Sequence, residues 1–132
     1  MSSQPLSESK IQQSFVTLIR EIVVNRFPEL RWLHSIPNGL HLPNKVSAAR
    51  AKREGLLAGI PDIFLPLPRD NYHGLYLEFK KGKNPQSEAQ KRFQCYCVEQ
   101  GYEYHVVRSV QTALQVTEAY CALPRPVRAG TA

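Results

Sequence analysis

G59-IPDIFLP-66 and L75-YLEFKKGKNPQSEAQ-90 are the two stretches on which the fold turns. DIFLP (62–66) and LYLEFK (75–80) are short apolar runs rich in Leu, Ile, Phe and Tyr, as strands are. Between them PRDNYHG (68–74) gathers Pro, Asp, Asn and Gly, residues that each favour a turn for its own backbone reason. The pattern predicts an antiparallel hairpin. Strand neighbours alternate faces, so Glu78 and Lys80 are expected on the same side of the sheet. An acid and an amine aimed one way from a buried-looking strand either form a salt bridge or share a task.

Working outward, Ser7 is placed to cap a helix that starts near Glu8. Ile11, Phe15, Leu18, Ile19 and Ile22 then recur at helical spacing. Phe27–Pro28 is expected to end this helix, because a residue before proline avoids the helical region. RWLHSIP (31–37) reads as a short strand and Asn38–Gly39 as a turn. From Leu42 to Leu57 a loop with Pro43 leads into a basic, Ala-rich stretch that suits a short helix, with Gly55 and Gly59 about its end. After the hairpin, Ser87 is the expected cap of a helix that reaches about Gln100 and stops at Gly101. YEYHVV (102–107) alternates as a strand does, and a last helix runs from Ser109 or Val110 to about Tyr120. The order α-β-(α)-β-β-α-β-α predicts an α/β fold, a sheet with helices on its faces. The first six residues and the Pro- and Gly-containing tail from Pro124 are expected to be disordered.

A chain of 132 residues suits one domain. With 42% hydrophobic and 21% charged residues it falls in the soluble globular class rather than the disordered one. No run approaches the roughly 20 apolar residues of a membrane span. MSSQPLSESK lacks the apolar core of a secretory signal, so a cytoplasmic protein is expected. The three cysteines, Cys95, Cys97 and Cys121, are odd in number and poorly spaced for a metal, and are expected to be buried or partly buried thiols. Lys and Arg outnumber Asp and Glu by 17 to 11, a net charge of +6 that favours polyanionic partners. The cations cluster. KVSAARAKR (45–53) holds Lys45, Arg50, Lys52 and Arg53 and no acid, and Lys81 and Lys83 follow the Glu–Lys strand. A solvated face is the plain alternative for either cluster, and DNA phosphate contacts are the functional one.

Asp62 opens the first strand of the hairpin, so tight pairing brings Asp62 and Glu78 to the same end of adjacent strands. Two carboxylates that close disfavour each other's charge. A Mg²⁺ ion, which takes a few carboxylates together with waters and phosphate oxygens, relieves this. Such an ion also suits phosphodiester hydrolysis, because it acidifies a bound water and neutralises charge on the phosphate. Lys80 is then placed to hold the attacking water or the phosphate. On the first helix Glu8 falls within the apolar stripe and Glu21 on its edge; a carboxylate aimed inward is rare unless paired or metal-bound, which makes Glu8 a third candidate acid. Capping of the first turn is the alternative for Glu8. Gln90, in the first turns of the following helix, can reach back towards a phosphate or water.

These linked motifs, GIPDIFLP, HGLYLEFKKGKNPQSEAQKRF and GYEYHVVRS, together with SESKIQQSF, IPNG and AARAKREGLLAGIPD upstream, resemble the VRR-NUC family, a branch of the PD-(D/E)xK nucleases. The resemblance implies a restriction-endonuclease-like core, a mixed central sheet flanked by helices. It implies Mg²⁺ or Mn²⁺ held by Asp62, Glu78 and the Phe79 backbone carbonyl, Lys80 as the catalytic lysine, Glu8 as the first-helix acid and Gln90 as the helix glutamine. Small stand-alone members resemble junction resolvases of phages and bacteria, which implies branched or four-way junction DNA as substrate and a homodimer. Larger members cut flaps and repair intermediates. A non-catalytic DNA-binding module on the same fold, or a plain domain with a Glu78–Lys80 salt bridge, are the competing readings. His34, His41, His73 and His105 lack metal-site spacing, and His73 and His105 are expected to be structural. His41, beside IPNG, is a possible DNA contact. Tyr72, Tyr76, Tyr102 and Tyr104 are expected to pack rather than to stack on bases.

Overall fold

The computed structural model describes residues 6–37 and 42–127. Four strands form one sheet in the order β1-β2-β3-β4, where β1 is His34–Ser35, β2 Ile63–Leu65, β3 Leu75–Phe79 and β4 Glu103–Val107. The first three pair antiparallel, with Ile63 opposite Leu77, as the hairpin reading expects. β3 and β4 run parallel, Leu77 opposite His105, so the sheet is mixed. A parallel return needs a crossover, and the helix α3 (Glu88–Glu99) supplies it.

The period of two along β3 divides the molecule. Leu75, Leu77 and Phe79 point to one face and are buried under α1 (Glu8–Glu21) and α4 (Val110–Cys121). Ile11, Phe15 and Ile19 of α1 enter this core, and the Phe15 and Phe79 rings lie 5.6 Å apart. Tyr76, Glu78 and Lys80 point to the other face. There Tyr76 meets Phe93 of α3 edge to face at 5.5 Å. Glu78 therefore projects from the centre of the sheet into the layer under α3.

Several boundaries differ from expectation. α1 ends at Glu21, not at Phe27, and a 3₁₀ turn covers Val23–Asn25. Ile22, Val23 and Val24 are β-branched and poor helix formers, and Ile22 is exposed rather than part of the buried stripe. The expected strand over 31–37 is mostly a second 3₁₀ turn, Pro28–Trp32, with a two-residue strand after it. Pro28 pre-sets the helical φ at the first position. Leu30 and Leu33, three apart, both drop into the core from that turn. The tail is not frayed from Pro124: the Asp70 N–H donates to the Pro124 carbonyl at 2.7 Å, and residues 124–127 are described. Cys97 and Cys121 are buried as expected, whereas Cys95 is exposed; all three are free thiols. Among the described residues no helix is long and apolar enough to cross a membrane.

The first turn of α3 is tied at both ends. The Ser87 hydroxyl accepts from the Gln90 N–H at 3.1 Å, and the Gln90 side-chain oxygen accepts from the Ser87 N–H at 2.8 Å, a capping box. Ser87→Ala is expected to lower stability by about 1 kcal/mol, read from the urea midpoint. Gly59 fits against the same turn. Its φ is +92°, and a Cβ there would stand 2.7 Å from the carbonyl carbon and oxygen of Ala89. Backbone cannot move aside as a flexible side chain can. Gly59→Ala is expected to cost about 2–4 kcal/mol by combining left-handed strain with overpacking, a loss visible in the same unfolding experiment.

Candidate active site

Asp62 is fixed by three hydrogen bonds before its charge is considered. Its N–H donates to the Leu77 carbonyl at 3.1 Å, and its own carbonyl accepts from Ile36 at 2.8 Å. Its Oδ2 accepts from the Phe79 N–H at 2.7 Å. Leu77, the partner of Ile63, thus also receives the Asp62 N–H, and Phe79 holds the side chain, so Asp62 is pinned beside β3 just outside the end of β2. Burial holds the Asp62 carboxyl above its usual range. The Phe79 N–H opposes this, the Glu78 and Glu8 carboxylates push it further up, and the Lys80 ammonium counters them. The second strand acid, the helix acid and the lysine thus all act electrically on Asp62.

Glu78 is 1% exposed. Its Oε1 accepts from the Tyr104 hydroxyl and, at 3.4 Å, from the Gln86 amide. Its Oε2 is buried with no hydrogen-bond partner among the described residues. Burial, and then the bond to Glu78 and its charge, push the Tyr104 hydroxyl pKa up, which keeps that proton in place as a donor. No ion pair joins Glu78 to Lys80 among the described residues, so the salt-bridge reading of this strand fails.

In front of Asp62 lies a cavity of about 410 Å³. Glu8, Lys52, Asp62, Lys80, Ser87 and Gln90 line it, with Phe79 and the 56–60 segment as its apolar wall. Glu78 lies behind this lining. Glu8 is half-buried and faces the cavity, whereas Glu21 is exposed, so of the two helix acids it is Glu8 that stands at the site. Asn84 contacts the Glu8 carboxylate at 3.5 Å. Gln90 reaches the cavity too, but its side-chain oxygen is engaged in the capping box, which leaves the amide N–H groups for a ligand. A second cleft, of about 620 Å³, lies between α1 and β1. It shares Glu8 and Asp62 with the first and adds Gln12, Gln13, Arg20 and His34. The two acids stand where the clefts meet.

The basic stretch forms α2 (Lys45–Arg53), capped by Asn44 and without a buried residue. Of its cations Lys52 lines the cavity, while Arg50 is paired with Glu54 at 2.8 Å. Lys45 and Arg53 are exposed, as are Lys81 and Lys83 of the loop after β3. Arg108 holds that loop by donating to the Gly82 and Asn84 carbonyls, both at 2.8 Å. Sequence reading missed Arg108 and the role of Tyr104, which act across 24–26 residues, and Gln86, which reaches Glu78 through a loop whose course no helix or strand period fixes. Tyr104 packs as expected, at 7% exposure, yet also carries a polar contact. His34 is exposed in the second cleft, His105 meets Glu103 at 3.1 Å, and His41 and the Asn38–Gly39 turn lie outside the described residues.

Among the described residues no three His, Cys, Asp or Glu side chains form a group that could hold a metal ion. The fit of a divalent cation therefore rests on the Asp62–Glu78 pair. Mg²⁺ needs only one or two carboxylates when waters and phosphate complete its shell. A solvent-excluded carboxylate oxygen without a donor is costly, and a cation removes that cost. The residues present fit such an ion.

A mixed four-stranded sheet with helices on both faces, and with Asp62 beside the strand that carries Glu78 and Lys80, is a restriction-endonuclease-like fold. The VRR-NUC domain model matches residues 4–111, and the chain belongs to the VRR-NUC domain family. It is similar to a solved structure described as a VRR_NUC domain protein, with 26% identity, a TM-score of 0.78, and coverage of 94% of this chain and 95% of that one. No curated protein matches the chain. The family makes this an endonuclease-type enzyme with DNA as its substrate class.

Proposed function

We propose that the protein is a Mg²⁺- or Mn²⁺-dependent, structure-selective DNA endonuclease that works as a homodimeric Holliday junction resolvase. The observation that carries the metal is the bare Oε2 of Glu78, a carboxylate whose charge acts on Asp62. Asp62, Glu78 and the Phe79 carbonyl would hold the ion, and Glu8 lines the same cavity. When bound, the ion acidifies a water and neutralises charge on the scissile phosphate. Lys80 orients the attacking water and donates to the phosphate as negative charge develops on it. The Gln90 amide positions a phosphate oxygen, and the phosphorus–oxygen bond opposite the incoming water breaks.

Lys45, Arg50, Lys52, Arg53, Lys81 and Lys83 neutralise the DNA backbone. Lys52→Ala is expected to reduce the salt slope of DNA binding by about 1, whereas Arg50→Ala does less because Glu54 already satisfies Arg50. Fluorescence anisotropy across a salt series reads both. Branched substrate is the reading that the resemblance to junction resolvases implies, and the second cleft gives the site at Glu8 and Asp62 more than one open side. Symmetric cutting of a junction needs two such sites, and a two-fold dimer is the commonest way to supply them.

The test is cleavage of four-way junction, 5′-flap and linear duplex DNA with Mg²⁺, Mn²⁺ or EDTA. Paired symmetric junction cuts that vanish in EDTA support the proposal. Flap cutting alone keeps the metal-dependent nuclease and discards the resolvase. Salt-dependent binding with no cutting leaves a DNA-binding module on this fold.

A further inference from the structure

We infer that Tyr104 and Gln86 are positioning residues that commit one oxygen of Glu78 to the protein and so present the other to a divalent cation. The inference rests on the metal-dependent reading proposed above and assigns work to two residues outside the cavity lining.

The geometry starts from the parallel pairing of β3 and β4. Tyr76 lies opposite Tyr104, and Glu78 lies opposite Val106. Tyr104 and Glu78 are thus diagonal neighbours on one face, a distance that a tyrosine spans. The Tyr104 hydroxyl donates to Oε1 in a buried setting. Gln86 adds a second donor to the same oxygen, from the segment just before the Ser87 cap. A carboxylate has about four acceptor positions, shared between its two oxygens. Here both protein donors converge on Oε1 and none reaches Oε2 among the described residues.

Nothing about burial alone produces that asymmetry. The nearby Phe79 N–H is directed to Asp62, not to Glu78. A carboxylate kept only to pack a sheet would be disposed to share its donors between both oxygens or to reach solvent. Instead Glu78 is anchored at one end, and its rotamer is set by partners on two separate segments. The Asp62 carboxyl is near enough to feel the Glu78 charge. Outer-shell donors of this kind orient a ligating carboxylate, and their loss typically weakens metal binding about 10–100-fold.

The experiment is Mn²⁺ binding to DNA-free protein, by calorimetry and by the loss of the free-ion electron paramagnetic resonance signal. Wild type, Tyr104→Phe, Gln86→Leu and Asp62→Ala are compared, each with its metal-free melting temperature. Tyr104→Phe keeps the ring and removes only the hydroxyl. It is expected to bind Mn²⁺ about 10-fold or more weakly. Gln86→Leu weakens binding less, because its contact is longer. Raised Mn²⁺ is expected to restore the Tyr104→Phe cleavage rate, which separates positioning of the ligand from a lost chemical step. Wild-type affinity in a folded Tyr104→Phe overturns the inference. Should that variant fail to fold, Gln86→Leu decides: wild-type affinity there overturns it as well. Wild-type cleavage that persists in EDTA overturns the metal-dependent reading itself, an outcome distinct from the other two.

Discussion

Asp62→Asn is expected to abolish cleavage and at the same time to stabilise the metal-free protein. The first effect follows from the loss of a ligand charge. A metal's stabilisation of the transition state is worth several kcal/mol, so losing it costs about 10³-fold or more in rate. The second effect follows from burial. The Asp62 carboxyl is held above its usual range by desolvation and by the Glu78 and Glu8 charges, so its ionised form is a burden on the folded state without a cation. Asparagine keeps an acceptor for the Phe79 N–H and carries no charge. A gain of about 0.5–2 kcal/mol at neutral pH is expected, the usual return when a functional strain is removed.

The sign with pH follows from proton binding. A carboxyl with a raised folded pKa binds protons more tightly when native than when unfolded, so the wild type loses stability as pH rises from the ordinary aspartate pKa through the raised one. Asp62→Asn lacks that loss. The advantage of the variant is therefore absent below the ordinary aspartate pKa and complete above the raised one. Urea unfolding in EDTA, at acid and neutral pH, measures it. A variant no more stable than wild type at neutral pH would show that the acids at this site do not strain the metal-free fold.

Lys80→Ala is expected to lower the cleavage rate about 10²–10³-fold, the cost of removing one donor aimed at developing charge. Two further measurements distinguish this role from a structural one. Breaking a buried ion pair typically costs about 3–5 kcal/mol. Lys80 is half-buried and makes no ion pair with Glu78, so a stability loss below about 1 kcal/mol is expected. Mn²⁺ affinity is expected to stay near that of wild type, since Lys80 is no ligand, whereas Asp62→Asn reduces it. A Lys80→Ala variant that cuts at the wild-type rate removes this residue from the mechanism.

The two variants divide the site as the strands do. Asp62 is held by backbone at the mouth of β2 and faces the cavity, while Glu78 is anchored from behind by β4 and the segment that leads into α3. Lys80, one step beyond the last residue of β3, donates its N–H to the Val107 carbonyl and so continues the ladder with β4. The proposed chemistry draws on residues from three strands and from the starts of α1 and α3. Stability of the α3 turn against Gly59 and function of the site are accordingly coupled: the same turn carries Ser87, Ala89 and Gln90.

The elements legible in the sequence are those governed by neighbours a few residues apart. Ser7 and Ser87 cap their helices because a hydroxyl reaches an N–H within one turn. Gly101 ends α3 because its positive φ is open to glycine. Alternation in LYLEF sends Glu78 and Lys80 to one face whatever the rest of the chain does. Where the local rule competed with another, the tertiary structure decided. RWLHSIP has the composition of a strand, but burial of Leu30 and Leu33 behind Pro28 made it a turn with a two-residue strand.

By itself, then, the sequence determined the α/β class, the hairpin, the caps and the residue types that suit phosphodiester chemistry, all consequences of backbone preference and short spacing. Only the tertiary structure decided that Glu8 rather than Glu21 faces the cavity, that Gln90 lends its oxygen to a cap, and that Glu78 and Lys80 do not pair. It alone brought Tyr104 to Glu78, 26 residues away in the chain. That contact exists through the β3–β4 register, and a slip of one residue would turn Tyr104 to the opposite face. Register is set by burial of Leu77, Phe79 and Val107 in the common core, a condition that no short stretch of the chain contains.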